Sequence, residues 1–165
     1  MAQDHLVSVT VVTYNSGRFI RRCLESVLEQ RYPHLEIVII DNASTDGTAD
    51  ILEQFADRCR IHYNPENIGF AAAQNQAISL ALGEWILTLN PDVLLMQTFV
   101  EELVSAAATD PRVGTVCGKL LNMTANFDLP AVQLVDSTGI YFTPTLRHLD
   151  RGSQEPDRGH YLNFE

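Results

Sequence analysis

Short apolar runs alternate with stretches of helical periodicity along about the first 118 residues. Residues 6–13 are rich in β-branched side chains, which is typical of a buried strand. The following stretch repeats apolar residues from Phe19 to Leu28 at the spacing of one helix face, before Pro33. Strands that alternate with helices of this length form right-handed βαβ units. The sequence therefore predicts an α/β fold with a mostly parallel sheet and helices on both faces.

The same pattern places the other elements. Further strands are predicted at 36–40, 60–63 and 84–89, with a fifth at 113–117. Helix faces are predicted from Ile51, Phe70 and Phe99 onward, and Ser44 or Asp46 is expected to cap the first of these. Beyond residue 118 the periodicity decays, so that 138–143 is a predicted hairpin strand and 147–159 a predicted polar loop.

Charge and composition exclude several classes of protein. A chain of 165 residues with net charge −10 and no cationic cluster is a poor nucleic-acid binder. Neither a basic, apolar leader nor an apolar run long enough to span a membrane is found, so we expect no signal peptide and no transmembrane segment. The three cysteines have no metal-binding spacing, which favours reduced, mostly buried thiols in a cytoplasmic protein.

A polar cluster follows each of the first four predicted strands. Because ligands of open parallel sheets bind beyond the carboxyl ends of the strands, the four clusters are expected to converge on one edge. They are residues 13–15, 41–47, 64–69 and 90–92.

Ordinary turn and capping chemistry is the alternative explanation for many of these residues. Taken singly, Asn42, Ser44, Asp46 and Asn64 are best explained in that way. Asp41 and Asp92 stand out because each carboxylate closely follows an apolar strand, where it needs a ligand, a metal ion or backbone donors.

Common catalytic motifs are missing. The chain has no G-x-G-x-x-G, no P-loop, no H-E-x-x-H and no G-x-S-x-G. An aspartate phosphoacceptor would need an acidic pair after the first strand, where Thr13, Tyr14 and Asn15 stand instead. Dinucleotide, zinc-hydrolase, serine-hydrolase and receiver functions are therefore disfavoured.

Three longer motifs resemble one known family. The run VSVTVVTYNSGRFIRRCLESVLEQRYPHLEIVIIDNASTDGT is followed by NPENIGFAAAQNQAI and then by LTLNPDVLL. Over about residues 6–120 they resemble the inverting family 2 glycosyltransferases of the GT-A fold, and most closely their rhamnosyltransferase-like bacterial branch. The stretch 151–161 is similar to that branch as well. The resemblance implies a GT-A fold that is incomplete at its C-terminus.

The resemblance also implies a nucleotide-sugar site. Thr13, Tyr14 and Asn15 match the motif that cradles base and ribose, and Asp41 matches the carboxylate that reads the base. An ionised carboxylate only accepts hydrogen bonds, which suits the N3 hydrogen of uracil or thymine and disfavours cytosine. The remaining donor-binding positions implied are Asn67, Gly69, Asn75 and Asn90.

A divalent cation is implied at Asp92, which matches the last carboxylate of the family's D-x-D element. There it would hold Mg²⁺ or Mn²⁺ against the pyrophosphate. The first position of the element is Asn90 instead of aspartate, so one metal-directed charge is missing. The general base that inversion requires lies further along the family's sequence, and we expect it beyond Glu165.

The resulting hypothesis is a glycosyltransferase with a donor-binding domain at 1–120 and the start of an acceptor-side region at 121–165. It would transfer a sugar, with rhamnose as a candidate, from a dTDP- or UDP-linked donor to a saccharide or lipid-linked acceptor during polysaccharide biosynthesis. That role implies a cytoplasmic location, with peripheral association at the inner membrane face, and an exposed apolar edge that favours self-association. The alternative is a nonenzymatic nucleotide-sugar-binding or regulatory module. A sugar nucleotidyltransferase is disfavoured, since no Gly- and Arg-rich loop follows the first strand.

Overall fold

The chain forms two compact units, Met1–Glu102 and Leu103–Glu165, in a computed structural model that describes residues 5–124 and 126–159. The first unit contains a parallel sheet with helices on both faces. Its elements, in chain order, are β1 (Val7–Thr13), α1 (Ile20–Leu28), β2 (Leu35–Asp41), α2 (Thr48–Glu53), β3 (Arg60–Tyr63), α3 (Phe70–Leu80) and β4 (Trp85–Leu89). Helix α4 (Phe99–Ala107) begins in the first unit and ends in the second.

The strands lie in the order β3-β2-β1-β4, and each neighbouring pair is parallel. Thr13, Asp41 and Tyr63 share one register position, so β1, β2 and β3 end together. Because successive side chains of a strand point to opposite faces, these three lie on the same face of the sheet. The polar loops that follow the strands therefore start from one edge.

Apolar side chains cover each face of this sheet. On one face, Val9, Val11 and Ile39 pack with the buried side of α1, including Leu24. On the other face, Val38 and Ile40 pack with Ala73 and Ala77 of α3. Alanines allow α3 to approach the strands closely, and β2 is buried from both sides, as expected for a central parallel strand.

The second unit contains two small antiparallel pairs. Strand β5 (Leu120–Leu121) pairs with β6 (Val135–Ser137), and β7 (Ile140–Phe142) forms a hairpin with β8 (His148–Asp150). Lys119 and Asp157 form an ion pair of 2.6 Å that links the two ends of this segment.

Three predictions about local structure are wrong. Residues 113–117 form no strand, because extended segments need a partner and the pairing partner β6 lies opposite residues 120–121. Within the predicted loop 147–159, His148–Asp150 is a strand, since pairing with β7 overrides its polar composition. The N-cap of α2 is Gly47, with φ +88°, instead of Ser44 or Asp46.

The cysteines are mostly buried, as expected. Cys23 and Cys59 are buried, Cys117 is exposed and all three are free thiols. In the described part of the chain, none of the helices has the length and apolar character that crossing a membrane requires.

Candidate functional site

The carboxylate of Asp41 lies at the shared end of the strands and is only 2% exposed. Its Oδ1 accepts hydrogen bonds from the hydroxyls of Thr13 (2.7 Å) and Ser44 (2.6 Å), and its Oδ2 accepts one from the Ser44 N–H (3.0 Å). These donors offset the cost of burying a charge. Each carboxylate oxygen can accept about two hydrogen bonds, so Oδ2 retains capacity for a further donor.

The loop after β1 presents an exposed aromatic ring. Tyr14 is 53% exposed, and Asn15 adopts a positive φ of 50°. The Asn15 N–H donates to Ser44 Oγ (2.9 Å), and Asn15 Oδ1 accepts from the Thr45 N–H (2.9 Å). These hydrogen bonds join the loops after β1 and β2 into one wall of the site.

Asp46 extends that wall. Its carboxylate accepts hydrogen bonds from the Thr48 hydroxyl and N–H and from the Gly17 N–H. The Thr48 hydroxyl is the main reason that the pKa of Asp46 is held below its usual value. Asp46 therefore connects the start of α2 to the loop before α1, although Gly47 is the N-cap.

A network of side-chain amides fixes the loop between β3 and α3. Asn42 donates to Asn67 Oδ1 (2.8 Å), and its own Oδ1 accepts from the Asn64 amide (3.1 Å) and from the Ile68 N–H (3.2 Å). Asn67 Oδ1 also accepts from the N–H of Gly69 (2.9 Å). The loop is thus anchored to the ends of β2 and β3 immediately before α3.

Gly69 is the N-cap of α3 and has φ +85° and ψ 156°. This conformation is almost restricted to glycine, which explains the residue without any ligand. The space where a Cβ would stand is open, with no atom within 4 Å. Backbone N–H groups at the start of α3 can consequently be approached closely by another molecule. Asn75 lies further along α3 in an exposed position.

The loop after β4 carries Asn90 and Asp92, both exposed. Cys23 of α1 lies beneath it and contacts the carbonyl oxygen of Asn90 (Sγ to O, 3.6 Å). Burial is the main cause that raises the pKa of the Cys23 thiol to about 12, and the negative charge of Asp92 raises it further. Asp92 and Cys23 therefore interact electrostatically.

The oxygen atoms of this loop suit a hard metal cation that is coordinated by the protein and by a phosphate group together. Mg²⁺ and Mn²⁺ prefer oxygen, and Mg²⁺ is commonly held by one or two carboxylates plus phosphate oxygens. Asp92 supplies one exposed carboxylate, and Asn90 an amide oxygen. Residues 5–124 and 126–159 contain no group of three or more His, Cys, Asp or Glu side chains that could hold a metal alone.

The structure thus brings some of the predicted site residues together. Thr13 bonds to Asp41 and Asn67 bonds to Gly69, whereas Asn75 lies along α3 and Asn90 and Asp92 follow β4. Sequence reasoning gave Asn42 and Asn64 only turn roles and missed the network that they form. The one available signal was the recurrence of asparagine after neighbouring strands.

Known proteins resemble this chain in sequence. The profile described as glycosyl transferase family 2 matches residues 8–156. The putative teichuronic acid biosynthesis glycosyltransferase TuaG of Bacillus subtilis is 42% identical over 90 residues, 53% of this chain and 36% of that protein. The glycosyltransferase GlyG of Streptococcus pneumoniae is 35% identical over 103 residues, 61% of this chain and 34% of that protein. The chain spans about a third of the length of these relatives.

Solved structures agree with this assignment. The mannosyltransferase PcManGT of Pyrobaculum calidifontis, in complex with GDP-Man and Mn²⁺, is 34% identical with a TM-score of 0.65, over 69% of this chain and 35% of that one. TarS of S. aureus in complex with UDP-GlcNAc is 27% identical with a TM-score of 0.58, over 62% of this chain and 32% of that one. With a parallel sheet of the GT-A fold and a profile match over most of its length, the chain belongs to glycosyl transferase family 2.

Proposed function

We propose that this chain is the donor-binding part of a glycosyltransferase and that it binds a nucleoside-diphosphate sugar at the carboxyl ends of β1–β4. The observation that carries the proposal is the Asp41 carboxylate, which is buried and hydrogen-bonded at the shared end of the strands, with the exposed ring of Tyr14 in the loop that follows its partner Thr13. A buried acceptor at the strand ends suits a base that carries an N–H group, and an exposed ring in the adjoining loop suits a flat base. Family membership and the nucleotide-sugar complexes of TarS and PcManGT support it.

Uracil or thymine is the proposed base. Both carry a hydrogen on N3, which Asp41 can accept, whereas N3 of cytosine is itself an acceptor and would face the carboxylate unfavourably. Guanine also presents N–H donors, and the relative PcManGT is in complex with GDP-Man, which makes GDP the competitor to test. Thr13 and Ser44 hold the carboxylate in place for this contact.

The diphosphate would require a bound metal cation, because the site loops offer no cationic side chain. The four loops 13–15, 41–47, 64–69 and 90–92 contain no Lys or Arg, and they carry the acidic residues Asp41, Asp46, Glu66 and Asp92. A diphosphate in such surroundings is repelled unless a positive charge accompanies it. We therefore propose that Asp92, with Asn90, holds Mg²⁺ or Mn²⁺, which when bound neutralises the charge of the leaving nucleoside diphosphate. The Mn²⁺ complex of PcManGT supports this role.

We also propose how the chain is divided, which further residues contact the donor, and which sugar it carries. Residues 1–120 would bind the donor and 121–165 would begin the acceptor side, while the base for an inverting transfer would lie beyond Glu165. Within the site, Asn67, Gly69 and Asn75 would contact the part of the nucleotide sugar that lies beyond its base. The resemblance to the rhamnosyltransferase-like branch favours a dTDP- or UDP-linked sugar such as rhamnose.

The biological setting proposed is polysaccharide biosynthesis in the cytoplasm, at the inner membrane face, with a saccharide or lipid-linked acceptor. The name of TuaG, a putative teichuronic acid biosynthesis glycosyltransferase, supports the role in polysaccharide biosynthesis. Self-association through the outer edge of β4 is proposed as well, because Ile86 on that strand is exposed.

Titration calorimetry on the 165-residue chain tests the donor site. With Mn²⁺ present, UDP and dTDP should bind more tightly than CDP, and Asp41→Asn should weaken UDP binding by about 1 to 3 kcal/mol, the range for losing a charged hydrogen-bond partner. Glu101→Gln is the matched control, since it removes an exposed carboxylate on α4 and should leave the affinity unchanged. Tighter binding of GDP than of UDP would overturn the proposed base, and equal affinity of Asp41→Asn and the parent would remove Asp41 from the site.

A transfer assay separates the enzyme from a nonenzymatic binding module. The 165-residue chain should bind the donor without transferring sugar, because general acid-base assistance alone contributes about 10²- to 10⁴-fold. A longer version of the protein with the downstream carboxylate should transfer sugar if the chain is part of an enzyme. Absence of transfer by that longer protein would favour the binding module.

A further inference from the structure

The side chain of Asn42 lies in the first unit, behind the surface proposed to receive the donor. It is 1% exposed and follows Asp41 directly in sequence. Its backbone N–H donates to the carbonyl oxygen of Thr13 (2.8 Å), which fixes the residue at the ends of β1 and β2. A buried side-chain amide requires hydrogen-bond partners for both its nitrogen and its oxygen.

The nitrogen and the oxygen of the Asn42 side-chain amide both form hydrogen bonds with one loop, residues 64–69. The nitrogen donates to Asn67, while the oxygen accepts from Asn64 and from the backbone N–H of Ile68. Asn64 in turn donates to Gln76 of α3 (3.0 Å). A single residue thus connects the ends of β1 and β2, through its backbone, to the loop 64–69, through its side chain, and by way of Asn64 to α3.

We propose that Asn42 is a positioning residue for donor binding: its amide holds the loop 64–69 and the start of α3 in the conformation that receives the diphosphate and sugar. This inference rests on the proposed function, since it assumes that Asn67 and Gly69 face the donor. Asparagine is suited to the position because its amide both donates and accepts. Aspartate has the same shape and could only accept, so it would lose the bond to Asn67.

The alternative is that Asn42 only stabilises the fold. The two roles differ in which part of the ligand is affected. A residue that merely stabilises the protein changes the affinities for all ligands alike or not at all. A residue that positions the loop changes binding of the diphosphate and leaves binding of the nucleoside, which is governed by Asp41 and Tyr14, almost unaltered.

The test compares UDP with uridine on the 165-residue chain in Mn²⁺, with two-dimensional NMR titration for weak binding. Asn42→Ala should reduce the affinity for UDP by roughly tenfold or more and that for uridine by less than about twofold. The reason is that groups of the loop 64–69 lose their hydrogen bonds to the buried amide. Asn42→Ser keeps a neutral polar group without the reach of the amide and should reduce UDP affinity by about threefold. If Asn42→Ala does not fold, Asn42→Ser carries the same comparison without a change of charge.

Ser8→Ala is the matched control. Ser8 is also fully buried and polar, and it bonds to Glu36 and to the Gly83 N–H near the start of β1, at the other end of the sheet. This variant should lower thermal stability as Asn42→Ala does and leave UDP affinity unchanged. Amide exchange of Ile68 and Gly69 should accelerate in Asn42→Ala and remain slow in Ser8→Ala.

A double variant checks the route of the effect. If Asn42 acts through the loop, Asn42→Ala combined with Asn67→Ala should weaken UDP binding no more than the weaker-binding single variant does, because the two changes disrupt the same loop. Fully additive losses would overturn that route.

Failure of this inference is distinguishable from failure of the proposed function. Equal losses for UDP and uridine, or unchanged UDP affinity while Ile68 and Gly69 exchange faster, would overturn the positioning role with donor binding intact. A parent chain that binds no nucleoside diphosphate would overturn the proposed function itself, and the positioning role with it.

Discussion

The hydroxyl of Thr13 donates a 2.7 Å hydrogen bond to Oδ1 of Asp41 across the ends of β1 and β2. The two residues are 28 positions apart in sequence and share one register position of the parallel sheet. Because both side chains are buried, the bond fixes one carboxylate oxygen and leaves the other to Ser44 and to an incoming ligand. Strand register therefore orients the group proposed to read the base.

Replacing Thr13 by valine tests this coupling. Thr13→Val keeps the shape and removes the donor, so Oδ1 of Asp41 loses one of its two hydroxyl partners. We expect UDP affinity to fall by about 1 kcal/mol, the usual contribution of one hydrogen bond, as measured by calorimetry. Thr10→Val is the control, since Thr10 is a buried threonine of the same strand that bonds to Gln74 and not to the site. An equal loss in both variants would contradict the orienting role of Thr13.

The stability of the first unit should depend on the ionised form of Glu36. Burial has the largest single effect on the pKa of Glu36 and raises it, but hydrogen bonds from Ser8 and from backbone N–H groups, together with the charge of Arg60, hold the pKa below its ordinary value of 4.5. A lowered pKa means that folding favours the charged form. The stabilisation is therefore present above about pH 4.5 and is lost as the pH falls through the lowered pKa.

Urea unfolding at pH 7 and at pH 3 measures this dependence. Glu36→Gln should be less stable than the parent at pH 7, and the difference should shrink at pH 3, which lies below the ordinary pKa of 4.5, because the unfolded chain then binds a proton that the folded carboxylate resists. Glu101→Gln, on the exposed face of α4, serves as the control and should follow the parent at both values. A difference that persists unchanged at pH 3 would mean that Glu36 contributes through its shape and not through its charge.

Thiol reactivity should separate the three cysteines. Burial raises the pKa of Cys23 to about 12 and that of Cys59 to about 11, so almost no thiolate forms at pH 8, whereas Cys117 is exposed. Iodoacetamide at pH 8 should alkylate Cys117 and spare the other two in the folded chain, as detected by mass spectrometry. In urea all three should react. Alkylation of Cys23 in the folded chain would indicate that the loop above it opens.

Sequence reasoning located the parallel sheet because the signals were local. Strand β3 has the predicted bounds and helix α4 begins at the predicted residue, since apolar periodicity and the flanking turn residues are read from neighbours in the chain. The same reasoning misplaced the strand near residue 115 and missed β8, because those segments depend on partners that are distant in sequence. Short paired strands are set by tertiary context more than by propensity.

The candidate site shows the same limit in its details. The convergence of the strand-end loops followed from topology alone, and the bond between Thr13 and Asp41 agrees with that convergence. The network around Asn42 did not follow, since an asparagine that caps a turn and one that joins its own loop to the loop 64–69 look alike in sequence. Only the register of β2 and β3 brings Asn42 and Asn64 within hydrogen-bond distance.

Metal dependence of nucleotide binding is the most direct test of Asp92. Addition of Mn²⁺ should strengthen UDP binding by at least about tenfold, because opposite charges held close together near a protein surface attract by several kcal/mol. Asp92→Ala should remove most of that increment without weakening the affinity measured in EDTA, since Asp92 is proposed to contact the ion and not the nucleoside. Glu101→Ala also removes an exposed carboxylate and should retain the full increment. Binding by the parent that is indifferent to EDTA would show that Asp92 has another role, and an undiminished increment in Asp92→Ala would place the cation on other residues.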